Sequence, residues 1–426
     1  GLLRGSKKLF VTYPSALCKA VYTFIYVIAC VVSFYLLDSM HKIKEDGNQF
    51  VTELEANGSY KFCVAFVNSE LSYPDFYKTI PEAELTAVLN SENKSQGIDN
   101  FHQVVDSVPE VHKNIVLITI ESLSASFMEH FGNSEGITPH LDKLADESLF
   151  FTQLYATGNR TVRGLEAVTL CTPPTPGGSV VKQKNNSNLF TTGKLLKERG
   201  YRVQYLYGGD SYFDNMKTFF GGNGYEIIDK KSFAKEEITF SNIWGVCDED
   251  MFDKAIKVFN ENTASGEPFF GHIMTTSNHR PFTYPEGKID IPAHYKCRAG
   301  GVKYTDYAIG KFIEEAKKQP WFKNTIFVIL ADHCASSSGK TSIPLPKYHI
   351  PALIYAPGFV APQKVEKMVS QIDVMPTLFG LLHFSYDSYF YGKDVFNPDY
   401  KSRAFIATYQ DLGYLEKDVF TILSPI

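Results

Sequence analysis

Four stretches of the chain place residues capable of metal and phosphoryl chemistry beside apolar runs. NIVLITI runs into Glu121-Ser122, and NTIFVIL runs into Ala331-Asp332-His333. A carboxylate from one run, with a carboxylate and an imidazole from the other, is a donor set for a hard or borderline divalent cation. Each signal alone is common, because acids and histidines also serve as turn and capping groups. The third stretch, Gly158-Asn159-Arg160-Thr161-Val162-Arg163-Gly164, delivers a threonine to the start of a helical pattern. Free N–H groups and the helix dipole favour an anion such as phosphate there. A threonine hydroxyl is a weak nucleophile at neutral pH, and metal coordination is one way to activate it. The alternative is that Thr161 only caps the helix. Arg160 and Arg163 either clamp phosphate oxygens or make surface pairs. In the fourth stretch, Ser277-Asn278-His279-Arg280-Pro281-Phe282 follows the apolar run PFFGHIMTT. His279 is there to bind substrate or protonate a leaving group, or is a satisfied structural histidine. His349 enters an apolar run instead of leaving one and is a weaker candidate.

The elements that must bring these groups together alternate from Asn114 onward. NIVLITI reads as a buried strand, and Thr138-Pro139 starts the helix HLDKLADES. LFFTQLYAT is a strand, and TVRGLEAVTLC a helix from near Thr161. TTGKLLKERG and YRVQYLYGG read as helix and strand, DEDMFDKAIKVFNEN and PFFGHIMTTS likewise. YTDYAIGKFIEEAKKQ is a helix, NTIFVILADH and IPALIYAPG are strands, and DVMPTLFGLL is a helix. Such alternation predicts an α/β fold: a mostly parallel central sheet flanked by helices. A small C-terminal α+β part is expected to follow. In such sheets ligands bind beyond the C-terminal strand ends, where all four stretches lie.

The chain has 426 residues, 44% of them hydrophobic, enough for a large core. Net charge is -5 and no long basic run appears, which argues against nucleic acid as a partner. The seven cysteines include no CxxC pair, so most are expected to be small buried residues, with room for one disulfide. Residues 1–48 contain an uncharged run from Val21 to Leu37, preceded by Lys7, Lys8 and Lys19 and followed by Asp38, Glu45 and Asp46. It is near the lower length limit for a membrane span, with a charge bias that places the C-terminal bulk outside. A buried or interfacial segment is the alternative. No small-residue cleavage site follows, so a removable signal peptide is not expected. Residues 49–110 read as a helical adaptor and linker, and 111–426 as the catalytic domain. The start at Gly1 and the apolar end read as a fragment of a longer protein.

The order of motifs is more informative than any one of them. Glu121 after the first strand, the Thr161 loop, SNHRPF, ADH and HIPALIYAPG together resemble the alkaline phosphatase superfamily. More closely they resemble the lipoteichoic acid synthase-like, sulfatase-fold phosphoglycerol transferases, and VAFVNSELSYPDFY is similar to the adaptor of those enzymes. The resemblance implies a divalent cation, Mn²⁺ first and Zn²⁺ or Mg²⁺ otherwise, held by Glu121, Thr161, Asp332 and His333. It places His279 at the substrate phosphate or headgroup. It implies a membrane-anchored enzyme with an extracytoplasmic catalytic domain, moving a phosphoglycerol-type headgroup from a phospholipid donor to a glycan acceptor. A phosphoethanolamine transferase, a phosphodiesterase or phosphatase, and a non-catalytic glycan or lipid sensor are the competing readings. GGDSYFDNM stands where the family places an aromatic and an arginine, leaving Asp210, Tyr212, Phe213 and Asn215 as local substrate candidates, with Lys340 further on. Cys334 stands where glycine is frequent, as a metal-neighbouring or simply a packed residue. Thr161 lacks the C/S-x-P-x-R context of formylglycine, so sulfate ester hydrolysis is not expected.

Overall fold

The computed structural model describes residues 15–43, 58, 59, 62, 73–95 and 97–426. Lys7 and Lys8, and much of the expected adaptor, lie outside the described residues. Two compact units divide at Tyr73 and Pro74. In the first, Ala16–Ile43 is one helix whose apolar part, Ala16–Leu37, has a mean hydropathy of 2.2. It is long and apolar enough to cross a membrane, and Tyr22, Phe24, Tyr26 and Tyr35 are exposed along it.

The second unit holds the sheet. Its strands are β1 (His102–Val104), β2 (Asn114–Ile120), β3 (Leu149–Tyr155), β4 (Arg202–Tyr207), β5 (Glu226–Ile228), β6 (Phe269–Met274) and β7 (Thr325–Ala331). They continue with β8 (His349–Tyr355), β9 (Gln363–Val365), β10 (Val369–Ser370), β11 (Tyr386–Ser388), β12 (Arg403–Ala407), β13 (Leu412–Glu416) and β14 (Val419–Leu423). The central sheet runs β10-β3-β8-β7-β2-β6-β4-β5, with β9 beside β3. Only β8 runs antiparallel to its neighbours β3 and β7. Every residue of β2, β6 and β7 is buried, as expected of strands covered on both faces. Their β-branched and aromatic side chains build the core with the flanking helices, and cutting Ile118 to Ala would cost about 2–5 kcal/mol.

The expected elements form, with two differences. The helix expected from Tyr304 begins at Arg298, before Gly300-Gly301. Those glycines pack instead of breaking the helix: a Cβ on Gly300 would lie 2.2 Å from the Tyr284 hydroxyl. The C-terminal part is an antiparallel sheet, β12-β13-β14, with no helix in place of the expected α+β arrangement. The alternating burial of β13 and the exposure of β14 fit strands lying on the surface of the unit. β1, inside the stretch read as a linker, pairs with β11.

Candidate active site

Register decides where the acids emerge. β2 and β7 are parallel neighbours with Ile120 opposite Ala331, so Glu121 and Asp332 leave the sheet side by side. The Asp332 N–H donates to the Ile120 carbonyl at 3.0 Å. The Glu121 N–H donates to Thr275 Oγ1, just past β6, at 2.9 Å. Ser122 then turns with φ 53, an unusual conformation for a residue other than glycine. That turn aims its N–H at Asp332 Oδ1, 2.8 Å away, and its hydroxyl at Glu121 Oε1, 2.6 Å away.

Glu121, Asp332 and His333 offer ligand atoms that all lie within 4.8 Å of one another. His333 Nδ1 sits 2.7 Å from the Cys334 carbonyl, which can only accept, so Nδ1 carries the hydrogen. Nε2 is left with its lone pair, 3.5 Å from Asp332 Oδ2 and 4.0 Å from Glu121 Oε1. Burial lowers the His333 pKa, which keeps the ring neutral as a metal ligand must be. Burial, and then the Glu121 charge, push Asp332 well above the ordinary carboxylate range. Burial works the same way on Glu121, but His333, the Ser122 hydroxyl, His279 and Thr161 together bring it below its ordinary value. Asp332 Oδ2 is buried without a hydrogen-bond partner. Two buried carboxylates, one with an orphaned oxygen, and a neutral imidazole nitrogen fit a divalent cation.

Thr161 is the first residue of the Thr161–Leu170 helix, and Arg160, not Thr161, is its cap. Its hydroxyl is free of backbone duty and donates to Glu121 Oε2 at 3.1 Å. Gly164 lets this helix approach the acid–imidazole group, because a Cβ there would lie 2.3 Å from the Asp332 carbonyl oxygen. Gln371 ties the same region together. Its amide donates to the Ala331 and Asp332 carbonyls at 3.0 and 2.9 Å, and its oxygen accepts from the Thr157 N–H at 3.1 Å.

A cleft of about 520 Å³ opens over these groups, lined among others by Glu121, Arg160, Thr161, Phe213, His279 and His333. His279 is thus brought to Thr161. The carboxamide of Asn278, next in sequence, donates to the Glu121 carbonyl at 2.7 Å. The ring of Trp244 lies against His279 with centroids 3.6 Å apart, and Phe213 meets Trp244 at 5.4 Å. Trp244, Arg298 and Gln371 were not legible as site residues, since nothing in their local sequence marks them.

Of the other candidates only Cys334 borders the cleft. The buried Arg163 side chain pairs with Glu166 at 2.8 Å and donates to the Thr175 and Gly177 carbonyls, so it holds the loop and not a substrate. Asp210 is exposed and pairs with Lys231 at 3.0 Å, and Asn215 donates to the Val181 carbonyl at 3.1 Å. Tyr212 is 82% exposed, and neither it nor exposed Lys340 lines the cleft. Cys334 is buried, its thiol donates to the His349 carbonyl at 3.1 Å, and burial pushes its pKa up to about 12. His349 Nε2 donates to the Thr152 carbonyl of β3 at 2.9 Å, and the ring stacks on Tyr155. No disulfide forms among the described cysteines.

Comparison with known proteins places this geometry. The Sulfatase family matches residues 113–384. Phosphoglycerol transferase I of Xanthomonas campestris pv. campestris is 25% identical over 335 residues, 73% of this chain and 47% of that protein. Lipoteichoic acid synthase 2 of Bacillus subtilis is 26% identical over 318 residues, 68% of this chain and 48% of that protein. The chain thus spans about half the length of these curated relatives. A solved protein of the alkaline phosphatase superfamily from Vibrio parahaemolyticus shares 37% identity at a TM-score of 0.78, covering 83% of this chain and 88% of that one. The lipoteichoic acid synthase LtaP of Listeria monocytogenes shares the fold, with 21% identity and a TM-score of 0.62 over 78% of this chain and 88% of that one. With the motif order, the sheet and the acid–imidazole group all in place, the chain belongs to the sulfatase family of the alkaline phosphatase superfamily.

Proposed function

We propose that this chain is the catalytic part of an extracytoplasmic phosphotransferase that moves a phosphoglycerol-type headgroup from a phospholipid to a glycan acceptor. The observation that carries the reading is the Thr161 hydroxyl, released from capping and hydrogen-bonded to Glu121 beside Asp332 and His333. The relatives named phosphoglycerol transferase I and lipoteichoic acid synthase 2 support the substrate class. The apolar helix Ala16–Leu37 supports a membrane anchor.

Glu121, Thr161, Asp332 and His333 would hold a divalent cation, Mn²⁺ in the first place. Such an ion lowers the pKa of a bound hydroxyl and neutralises phosphoryl oxygens. Glu121 Oε2 orients the Thr161 hydroxyl. Thr161 Oγ1 gives its proton to Glu121 Oε2 and forms a bond to phosphorus while the bond from phosphorus to the lipid alcohol oxygen breaks. His279 protonates that oxygen, so diacylglycerol departs and the headgroup phosphate remains on Thr161. An acceptor hydroxyl then bonds to phosphorus and gives its proton to His279, while the Thr161 bond breaks and Oγ1 recovers its proton from Glu121 Oε2. Asn278 and Trp244 hold His279 on the cleft wall for both proton transfers.

Incubation of the full chain with labelled phosphatidylglycerol or phosphatidylethanolamine, with products resolved by mass spectrometry, tests the reading. Diacylglycerol release from phosphatidylglycerol is expected. Release from phosphatidylethanolamine alone would transfer the assignment to phosphoethanolamine transfer, and release from neither would refute it.

A further inference from the structure

Arg298 is a charged group of the cleft with no task in the transfer to Thr161. Arg298 opens the Arg298–Ala316 helix and lines the same cleft as Thr161, His279 and His333. Its guanidinium lies over the Phe282 ring, 4.7 Å from the centroid, which fixes the plane of the fork. Nη1 is buried and has no hydrogen-bond partner. Leaving a charged donor buried and unpaired is costly, so a structure that retains one has a use for it.

The support beneath Arg298 is over-determined. Phe282 adopts φ 58, a strained conformation for a bulky residue, and its N–H donates to the His279 carbonyl at 2.8 Å. Trp244 Nε1 donates to the Arg280 carbonyl. The Asp248 carboxylate accepts the Thr276 and Ser277 N–H groups at 2.8 and 3.1 Å. One loop thus fixes His279 by its own backbone and Arg298 through the Phe282 ring. Burial, with Arg280, lowers the Arg298 pKa from its ordinary value, against the pull of the Glu121 and Asp332 carboxylates. Two orphaned polar atoms of the site are complementary: Asp332 Oδ2 calls for a cation, and Arg298 Nη1 for an anion's oxygen.

We propose that Arg298 is a substrate contact that donates through Nη1 to a non-bridging oxygen of the phosphoryl group presented to Thr161. The assignment rests on reading the cleft as a phosphate-ester site. A planar fork held over an aromatic ring gives a directed, charge-assisted bond that a flexible lysine would not.

The test uses the full chain carrying Thr161→Ala, loaded with Mn²⁺, with glycerol 1-phosphate as the probe and affinity read by calorimetry. Adding Arg298→Met is expected to weaken binding roughly ten- to hundred-fold, the scale of a charge-assisted hydrogen bond. Arg298→Lys should weaken it less, with manganese content and melting temperature unchanged in both. If the methionine variant does not fold, Arg298→Gln takes its place with the same expected loss. Unaltered affinity in the folded variant overturns the assignment and leaves the phosphate site standing. Lost manganese together with lost binding also overturns it, by showing that Arg298 supports the metal group instead. No binding of glycerol 1-phosphate to the Thr161→Ala parent would refute the site reading, and the assignment with it.

Discussion

Thr161 Oγ1 lies 3.1 Å from Glu121 Oε2, while the other oxygen of that carboxylate is taken by the Ser122 hydroxyl at 2.6 Å. The carboxylate is therefore clamped at one end and directed at the Thr161 hydroxyl with the other. Thr161→Ala should lower turnover by at least about 10³-fold, while Thr161→Ser, which keeps the hydroxyl, should retain measurable activity. Steady-state assays of both variants check this. Full activity in the alanine variant would remove Thr161 from the chemistry.

Asp332 sets a pH dependence. Burial and the Glu121 charge raise its folded pKa, so the stability it contributes to metal-free protein is full below its ordinary value. That stability is lost as pH rises through the raised folded value. A cation takes over from the proton, so binding Mn²⁺ should release protons, and the gain in melting temperature on adding Mn²⁺ should be larger at about pH 8 than at about pH 6. Calorimetry in buffers of different ionisation enthalpy measures the release. Asp332→Ala should abolish stoichiometric metal, read by elemental analysis.

Arg160 and Arg163 should separate cleanly. Arg163 is buried against Glu166, so Arg163→Ala should cost about 3–5 kcal/mol of stability by leaving that carboxylate unpaired. Arg160 is exposed on the cleft wall, so Arg160→Ala should leave stability within about 0.5 kcal/mol and raise KM. Denaturation midpoints beside initial rates distinguish the two.

These two arginines also mark how far the sequence could be read. Period and punctuation located β2, β7 and the Thr161 helix, because buried parallel strands read as apolar runs and Glu121 and Asp332 follow them directly. The loop GNRTVRGLEA carries no sign of which arginine turns inward; that depends on the Thr175 and Gly177 carbonyls further along. Arg298 was hidden because Gly300-Gly301 reads as a break in a helix that runs through it. Trp244 reaches His279 only through tertiary packing, as Gln371 reaches Asp332. The β12–β14 sheet lay beyond the last strong periodicity.

Cys334 should be inert. Its thiol is buried and raised to about 12, so at about pH 8 it remains protonated. Thiol-directed labelling of folded protein, mapped by mass spectrometry, should spare Cys334 until the protein is unfolded. Cys334→Ala should keep activity within about threefold, as expected of a packed small residue. Rapid labelling at Cys334 with loss of activity would show instead that the loop after His333 opens.

The most direct measurement quenches a reaction of Mn²⁺-loaded protein with labelled phosphatidylglycerol and maps the adduct. Glycerophosphate on the peptide containing Thr161, formed as diacylglycerol is released and absent in Thr161→Ala, is the expected result. Diacylglycerol release by the Thr161→Ala protein, with no adduct at Thr161 in the parent, would contradict a threonine nucleophile.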